Sequence, residues 1–118
     1  MNDLICGDNV EILKGLDINS IDLTVTSPPY DDIRNYNGYS FDFESLAKQL
    51  YRVTKDGGVI AWIVNDSTKD GTESGTSFKQ ALYFKEIGFK LHDTMIWHRQ
   101  TAPLTHKRYE QRFEYMFI

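Results

Sequence analysis

The sequence is poor in most of the features that would tie it to a secreted, membrane or metal-bound class. It holds one cysteine, Cys6, among 118 residues, so no internal disulfide can form, and a reducing cytosol is the compartment that this usage implies. No apolar run reaches membrane-spanning length. The opening MNDLICGDN has neither the basic flank nor the apolar stretch of a signal peptide. The histidines and Cys6 have no metal-site spacing, so no metal is expected. A basic excess is missing too: the net charge is −4, against the usual balance of a dedicated nucleic-acid binder. There is no repeat and no low-complexity tract. Of only three prolines, two stand side by side as Pro28-Pro29.

What is present suits one globular domain. Hydrophobic residues make up 41% and aromatic residues 14% of the chain, enough for a core and against disorder. The run LIC (Leu4 to Cys6), ended by Gly7-Asp8, predicts a brief buried strand, with Cys6 as a small core residue. NVEILKGL predicts a short helix, capped by Asp8 or Asn9 and stopped near Gly15. IDLTVT is β-branched and nearly apolar, a central strand that the two prolines terminate because neither can donate to a sheet ladder. DDIRNYNGYS reads as a polar loop.

From Phe43 the period changes. Phe43, Leu46, Ala47, Leu50 and Tyr51 lie on one helical face, with Ser40 or Asp42 as cap and KDGG (Lys55 to Gly58) as the stop. VIAWIV predicts a buried strand and NDSTKDGTESGTS a second polar loop. FKQALYFKEIGF predicts a second amphipathic helix ended by Gly88. KLHDTMIWHR and FEYMFI predict two further strands around a basic loop, and Trp62 and Trp97 are expected to fill the core.

Alternating strands and helices imply an α/β sheet built on parallel βαβ units. Ligands of such sheets gather at the carboxyl ends of the strands. That rule brings Gly7-Asp8, Ser27 to Tyr30, Asn65-Asp66 and His98-Arg99 to one edge. The segment from His98 onward also carries Lys107, Arg108 and Arg112 against only Glu110 and Glu114, a candidate phosphate-facing patch or a solvated loop.

The corner Ser27-Pro28-Pro29-Tyr30 has a specific chemical use. A stiff backbone whose carbonyls the sheet does not need, a hydroxyl and a flat ring together suit a planar group bearing an NH2. Acceptors for both of its protons aim the nitrogen lone pair at an electrophile, and the developing cation is stabilised.

TSPPY resembles the catalytic motif of the DNA amino-methyltransferases, which use S-adenosylmethionine to methylate cytosine N4 or adenine N6. The run-up ICGDNVEILKGLDINSIDLTVTSPPY, the later RVTKDGGVIAWIV, and the segments HDTMIWHRQ and RYEQRFEYMFI are similar to that family across nearly the whole chain. The resemblance implies a partial Rossmann-like methyltransferase sheet, mostly parallel with an antiparallel C-terminal strand. It implies that Ser27, Pro28, Pro29 and Tyr30 are catalytic, with Tyr30 stacking on a base flipped from the duplex. It implies that Asp8, Thr26 and Ser27 meet the cofactor, and that Asp66, His98, Arg99, Lys107 and Arg108 face the target base or DNA. The loop from Asp31 to Ser40 is expected to close over DNA. Ser27, rather than Asp, at the first corner position leans toward cytosine N4.

One family feature has no counterpart: the glycine-rich loop, broadly Phe-x-Gly-x-Gly, that grips the methionine part of the cofactor. The order of the motifs fits the circularly permuted subclass, so residues 1–118 are expected to be a single, truncated catalytic domain, weakly active or inactive alone. Exposed sheet edges would then favour self-association or a complementing fragment. A restriction-modification setting fits. The alternatives are a non-catalytic remnant that binds DNA or a partner, and a methyltransferase acting on RNA or protein glutamine. Those last relatives favour Asn where Ser27 stands.

Overall fold

A computed structural model describes residues 2–29, 41–100 and 111–118. Tyr30, Lys107, Arg108 and the loop from 31 to 40 lie outside the described residues.

The elements run α1 (Asn9–Lys14), β1 (Ile21–Thr26), α2 (Phe43–Val53), β2 (Thr54–Val64), β3 (Thr68–Lys69), β4 (Thr72–Glu73), α3 (Thr76–Ile87), β5 (Thr94–His98) and β6 (Phe113–Phe117). Four strands form a sheet in the order β1-β2-β6-β5. β1 pairs parallel to β2, and β6 pairs antiparallel to both β2 and β5. β1, β2 and β5 therefore run in one direction, and the C-terminal β6 alone runs against them. The expected α/β class and strand directions are both present.

The core lies on one face of the sheet. Trp62, Val64 and Phe117 meet Leu46, Ala47 and Leu50 of α2 and Ala81 and Phe84 of α3, with Val10 and Leu13 of α1 packed against the same cluster. Phe43 makes edge contacts with Trp62, Tyr83 and Phe84 at ring-centroid distances of 5.6, 5.5 and 5.2 Å. The indole N–H of Trp62 donates to Gln80 Oε1 at 3.0 Å, which satisfies the one polar atom that the ring takes into the core.

The helix caps follow from the sequence. Asp8 accepts from the Glu11 N–H at 3.1 Å. Asp42 accepts from the Ser45 N–H at 3.2 Å and from its hydroxyl at 2.6 Å. These bonds satisfy amide donors that a first helical turn leaves unpaired.

Four expectations need correction. Leu4 to Cys6 form no strand: Leu4 and Ile5 are 101% and 60% exposed, Cys6 is exposed, and the sheet order β1-β2-β6-β5 includes no pairing to this segment, so its backbone has no ladder and its side chains no core. Lys55 to Gly58 do not stop α2. The helix ends at Val53, with the Thr54 hydroxyl donating to the Leu50 carbonyl at 2.6 Å, and residues 55–58 belong to β2. There the register jumps from Ile21↔Thr54 to Leu23↔Val59, and Gly57 takes φ +80° to make the bulge. The polar stretch after Val64 contains the β3–β4 hairpin, whose two-residue turn Asp70-Gly71 has φ of 53° and 77°, the Asp-Gly pattern of a type I′ turn. Trp97 is half exposed and no part of the core.

Candidate active site

Three parallel-running strands end at the same edge, at Thr26, Val64 and His98. The cleft at β1's end occupies about 450 Å³ and is lined by Gly7, Asn9, Thr26, Ser27, Pro28, Pro29, Phe41 and Leu46. The turn ahead of α1 thus meets the Ser-Pro-Pro corner. Ser27 is exposed, Pro28 is buried and Pro29 is half-buried, so the corner is anchored through its first proline while the serine faces the opening. Thr26 is held in register opposite Trp62. Gly7 keeps its wall low: a Cβ there would stand 2.9 Å from Ile12 Cδ1.

Asp8 is adjacent to this cleft with one carboxylate oxygen on the α1 cap, so the capping role stands in the structure beside the cofactor role implied by resemblance. Phe41 and Leu46 were not singled out as site residues, yet a signal for them existed. Asp42 is the cap of α2, which makes Phe41 and Leu46 the residues before the cap and four after it, the positions of a hydrophobic staple. The staple that sets the entry angle of α2 also walls the cleft. Asn9 carried no such signal.

Asp66, His98 and Arg99 share the sheet edge but do not line the cleft. Asp66 is buried and bound to the start of α3: Oδ1 accepts from the Ser77 N–H at 2.8 Å and the Ser74 hydroxyl at 3.1 Å, and Oδ2 accepts from the Ser77 hydroxyl at 2.6 Å. His98 ends β5, three strands from β1, roughly 14 Å across the sheet at about 4.8 Å per strand. That is too far for His98 to reach the Ser27 corner. Arg99 pairs with the buried Glu114 at 3.8 Å, and its N–H donates to the Arg112 carbonyl.

Between these two ends lies a polar chain. The side-chain amide of Gln111 donates to Asn65 Oδ1 at 2.8 Å, and Asn65 donates to the Phe113 carbonyl at 3.2 Å. Burial pushes the Tyr115 phenol above its usual 10.0, and the Glu73 and Asp66 carboxylates push it the same way, so it is a neutral hydroxyl at physiological pH.

Comparison with known proteins gives the family. The model of the DNA methylase family (N6 and N4 methyltransferases) matches residues 21–118. The chain belongs to this family. It is 66% identical over 100 residues to the orphan methyltransferase M.BamHII of Bacillus amyloliquefaciens, a match covering 84% of this chain and 38% of that protein. Among solved structures it is similar to the Thermus thermophilus protein TTHA0409, a candidate DNA modification methylase complexed with S-adenosyl-L-methionine. The TM-score is 0.74 at 24% identity, over 94% of this chain and 52% of that one. The cytosine-N4-specific PvuII DNA methyltransferase gives a TM-score of 0.72 at 18% identity, over 94% and 46%. This member of the DNA methylase family thus spans about half or less of the length of these three relatives.

Proposed function

We propose that the chain supplies the catalytic corner of an S-adenosylmethionine-dependent DNA methyltransferase, which methylates the exocyclic amino group of a flipped base, cytosine N4 in preference to adenine N6. The observation that carries this reading is the joining of the Gly7–Asn9 turn and the Thr26–Pro29 corner in one cleft. A cofactor-side turn and an amine-side corner must be neighbours for direct transfer between two bound molecules.

The residues fit part of the cofactor. The side-chain-free Gly7 and the neighbouring carboxylate of Asp8 suit an adenine and its amino group. When bound, S-adenosylmethionine supplies a methyl group on a positive sulfur, reactive enough that no enzyme nucleophile is needed. Ser27 then orients the target amine through its hydroxyl, and Tyr30 stacks on the base. Phe41 and Leu46 keep that side of the cleft apolar, which strengthens each hydrogen bond made inside it. Residues 1–118 act as one catalytic domain of a larger methyltransferase. The base preference rests on Ser27 alone. His98, Arg99, Lys107 and Arg108 serve the DNA backbone rather than the amine, and Asp66 serves by fixing the β2–α3 junction beside the site. DNA as substrate makes the cytoplasm of a cell the place of work.

A chimera tests the proposal. The matched 100 residues of the Bacillus amyloliquefaciens methyltransferase are replaced by the corresponding part of this chain, and methyl transfer from labelled cofactor to DNA is measured, with nucleoside mass spectrometry to identify the product. N4-methylcytosine that disappears in Ser27→Ala and Tyr30→Ala supports the reading. A folded chimera whose methylation is indifferent to both substitutions sinks it.

A further inference from the structure

Two arginines stand opposite each other where β5 and β6 meet the sheet's edge. The ladder runs to His98↔Phe113, and one step further the Arg99 N–H donates to the Arg112 carbonyl at 2.7 Å. Residues directly opposite in an antiparallel pair hold their Cβ atoms about 5 Å apart on the same side, and like charges placed so repel. Both arginines are exposed. By alternation they share a face with Trp97 and Glu114, the neighbouring opposed pair, turned away from the core. Glu114 is buried and lies 3.8 Å from Arg99 Nη1. That separation exceeds a hydrogen bond, so the carboxylate aims the guanidinium without using up its donors. The backbone around Arg112 is fixed on both sides by Asn65, which accepts from the Gln111 side-chain amide at 2.8 Å and donates to the Phe113 carbonyl at 3.2 Å.

We infer that Arg99 and Arg112 form one two-armed site for a single phosphodiester of the DNA backbone, with Glu114 as the positioning residue of Arg99. The inference rests on the reading of DNA as the substrate. Charge selects the ligand. Two guanidiniums beside one carboxylate leave one positive charge, in a chain whose net charge is −4. The single negative charge of a phosphodiester completes the set and relieves the repulsion between the arms. Shape agrees, because a guanidinium is a planar fork of donors matched to phosphate oxygens, and a phosphodiester offers one free oxygen to each arm. Place agrees as well. Arg99 follows the carboxyl end of β5, on the edge where β1 ends at the Ser27 cleft, so one duplex can reach both. Glu114 by its charge alone would repel the phosphate. Its contribution is the aim that it gives to Arg99.

The test uses the whole chain and a short labelled DNA duplex of mixed sequence. Fluorescence anisotropy gives the dissociation constant over a salt series, without cofactor. Arg99→Gln and Arg112→Gln should each weaken binding severalfold at low salt. Each should also flatten the plot of log affinity against log salt by about one unit, the share of one phosphate. The double variant should again lose about one unit, because the arms share that phosphate. A loss of about two units, with the fold-changes multiplied, means two separate contacts and overturns the inference. So does an unchanged slope in either single variant. Glu114→Gln separates aim from charge: removing a negative charge beside the site tightens binding if charge is all that matters, whereas losing the aim weakens it severalfold. Tighter or unchanged binding overturns the role of Glu114. Circular dichroism and thermal melts check each fold. Arg99→Lys, which keeps a cation beside Glu114, should also bind severalfold more weakly, and binding equal to the parent removes the fork. Lys85→Gln, in the last turn of α3, should leave the slope unchanged; an equal loss there would make the effect one of net charge and overturn the site. Catalysis is not read here. A chain that binds DNA with a slope indifferent to both arginines sinks only this inference. A chain that binds no DNA at low salt sinks it together with the reading on which it rests.

Discussion

Asp66 grips Ser77 twice, with Oδ1 on its backbone N–H at 2.8 Å and Oδ2 on its hydroxyl at 2.6 Å. One buried carboxylate thereby ties the end of β2 to the first turn of α3 across the β3–β4 hairpin. The cap position itself is Gly75, which has no side chain to do this. Asp66 supplies from a distance the capping oxygen that the local sequence lacks.

Asp66→Ala should therefore cost more than an ordinary cap. It leaves the Ser77 N–H and hydroxyl buried without acceptors, and charge-assisted bonds of this kind are worth about 2–3 kcal/mol. Urea denaturation followed by circular dichroism measures the loss. Asp66→Asn keeps one acceptor and should recover about half of it. A change below about 0.5 kcal/mol in the alanine variant would show that the junction is held elsewhere.

The glycine pair in β2 separates two kinds of constraint. A Cβ on Gly58 would stand 2.7 Å from Thr54 Cγ2, 2.9 Å from the Lys55 carbonyl and 3.1 Å from the Ile21 carbonyl, while Gly57 faces open space at φ +80°. Gly58→Ala must move backbone on two strands, a cost of about 2–3 kcal/mol. Gly57→Ala meets only the left-handed strain, about 1 kcal/mol. Thermal melts of the two variants should rank in that order, and the reverse order would contradict the bulge.

The sequence made the α/β alternation, the three helices and the corner at Ser27 legible, because each is written in local patterns, whereas the direction of β6 was implied by the family resemblance alone. Asp42 announced a cap and Pro28-Pro29 a strand end. What failed depended on neighbours. Leu4 to Cys6 have strand composition, but a strand needs a partner and β1 provides none. Trp97 is as apolar as Trp62; only the register shows that it stands opposite Glu114, on the face turned away from the core. The Asp-Gly turn at 70–71 was readable as a hairpin but was outweighed by the polarity around it. Asp66 looked like a site residue because it follows a parallel strand, and its bonds to Ser74 and Ser77 come from eight and eleven residues away. Phe41 was hidden because its role follows from the helix cap rather than from any motif.

Acid should loosen α2 at its start. The bonds from the Ser45 hydroxyl and N–H hold the Asp42 carboxyl below its usual 3.8. A depressed folded value means that the stabilisation is present above the unfolded value and is lost as pH falls through the folded one. Stability should therefore be flat with respect to this group above about pH 5 and should fall below about pH 4. In Asp42→Asn the side chain no longer titrates, so the gap between the two proteins in urea midpoint should narrow as pH is taken from about 5 to about 3. A constant gap would mean that the Asp42–Ser45 bonds contribute nothing in solution.

Position across the sheet predicts different kinetic signatures for Ser27 and His98. Ser27 lines the cleft. His98 ends β5 on the far side of β2 and β6, roughly 14 Å away, a reach that suits a phosphate of the same DNA rather than the reacting nitrogen. In the chimera, Ser27→Ala should lower kcat by about ten- to a hundredfold, the worth of one oriented hydrogen bond in a transition state, with KM for DNA little changed. His98→Ala and Arg99→Ala should leave kcat intact, raise KM for DNA severalfold and flatten its dependence on salt. Single-turnover rates at saturating DNA across a salt series distinguish the two patterns. A loss of kcat in His98→Ala equal to that in Ser27→Ala would place His98 at the chemistry and break the assignment drawn from strand order.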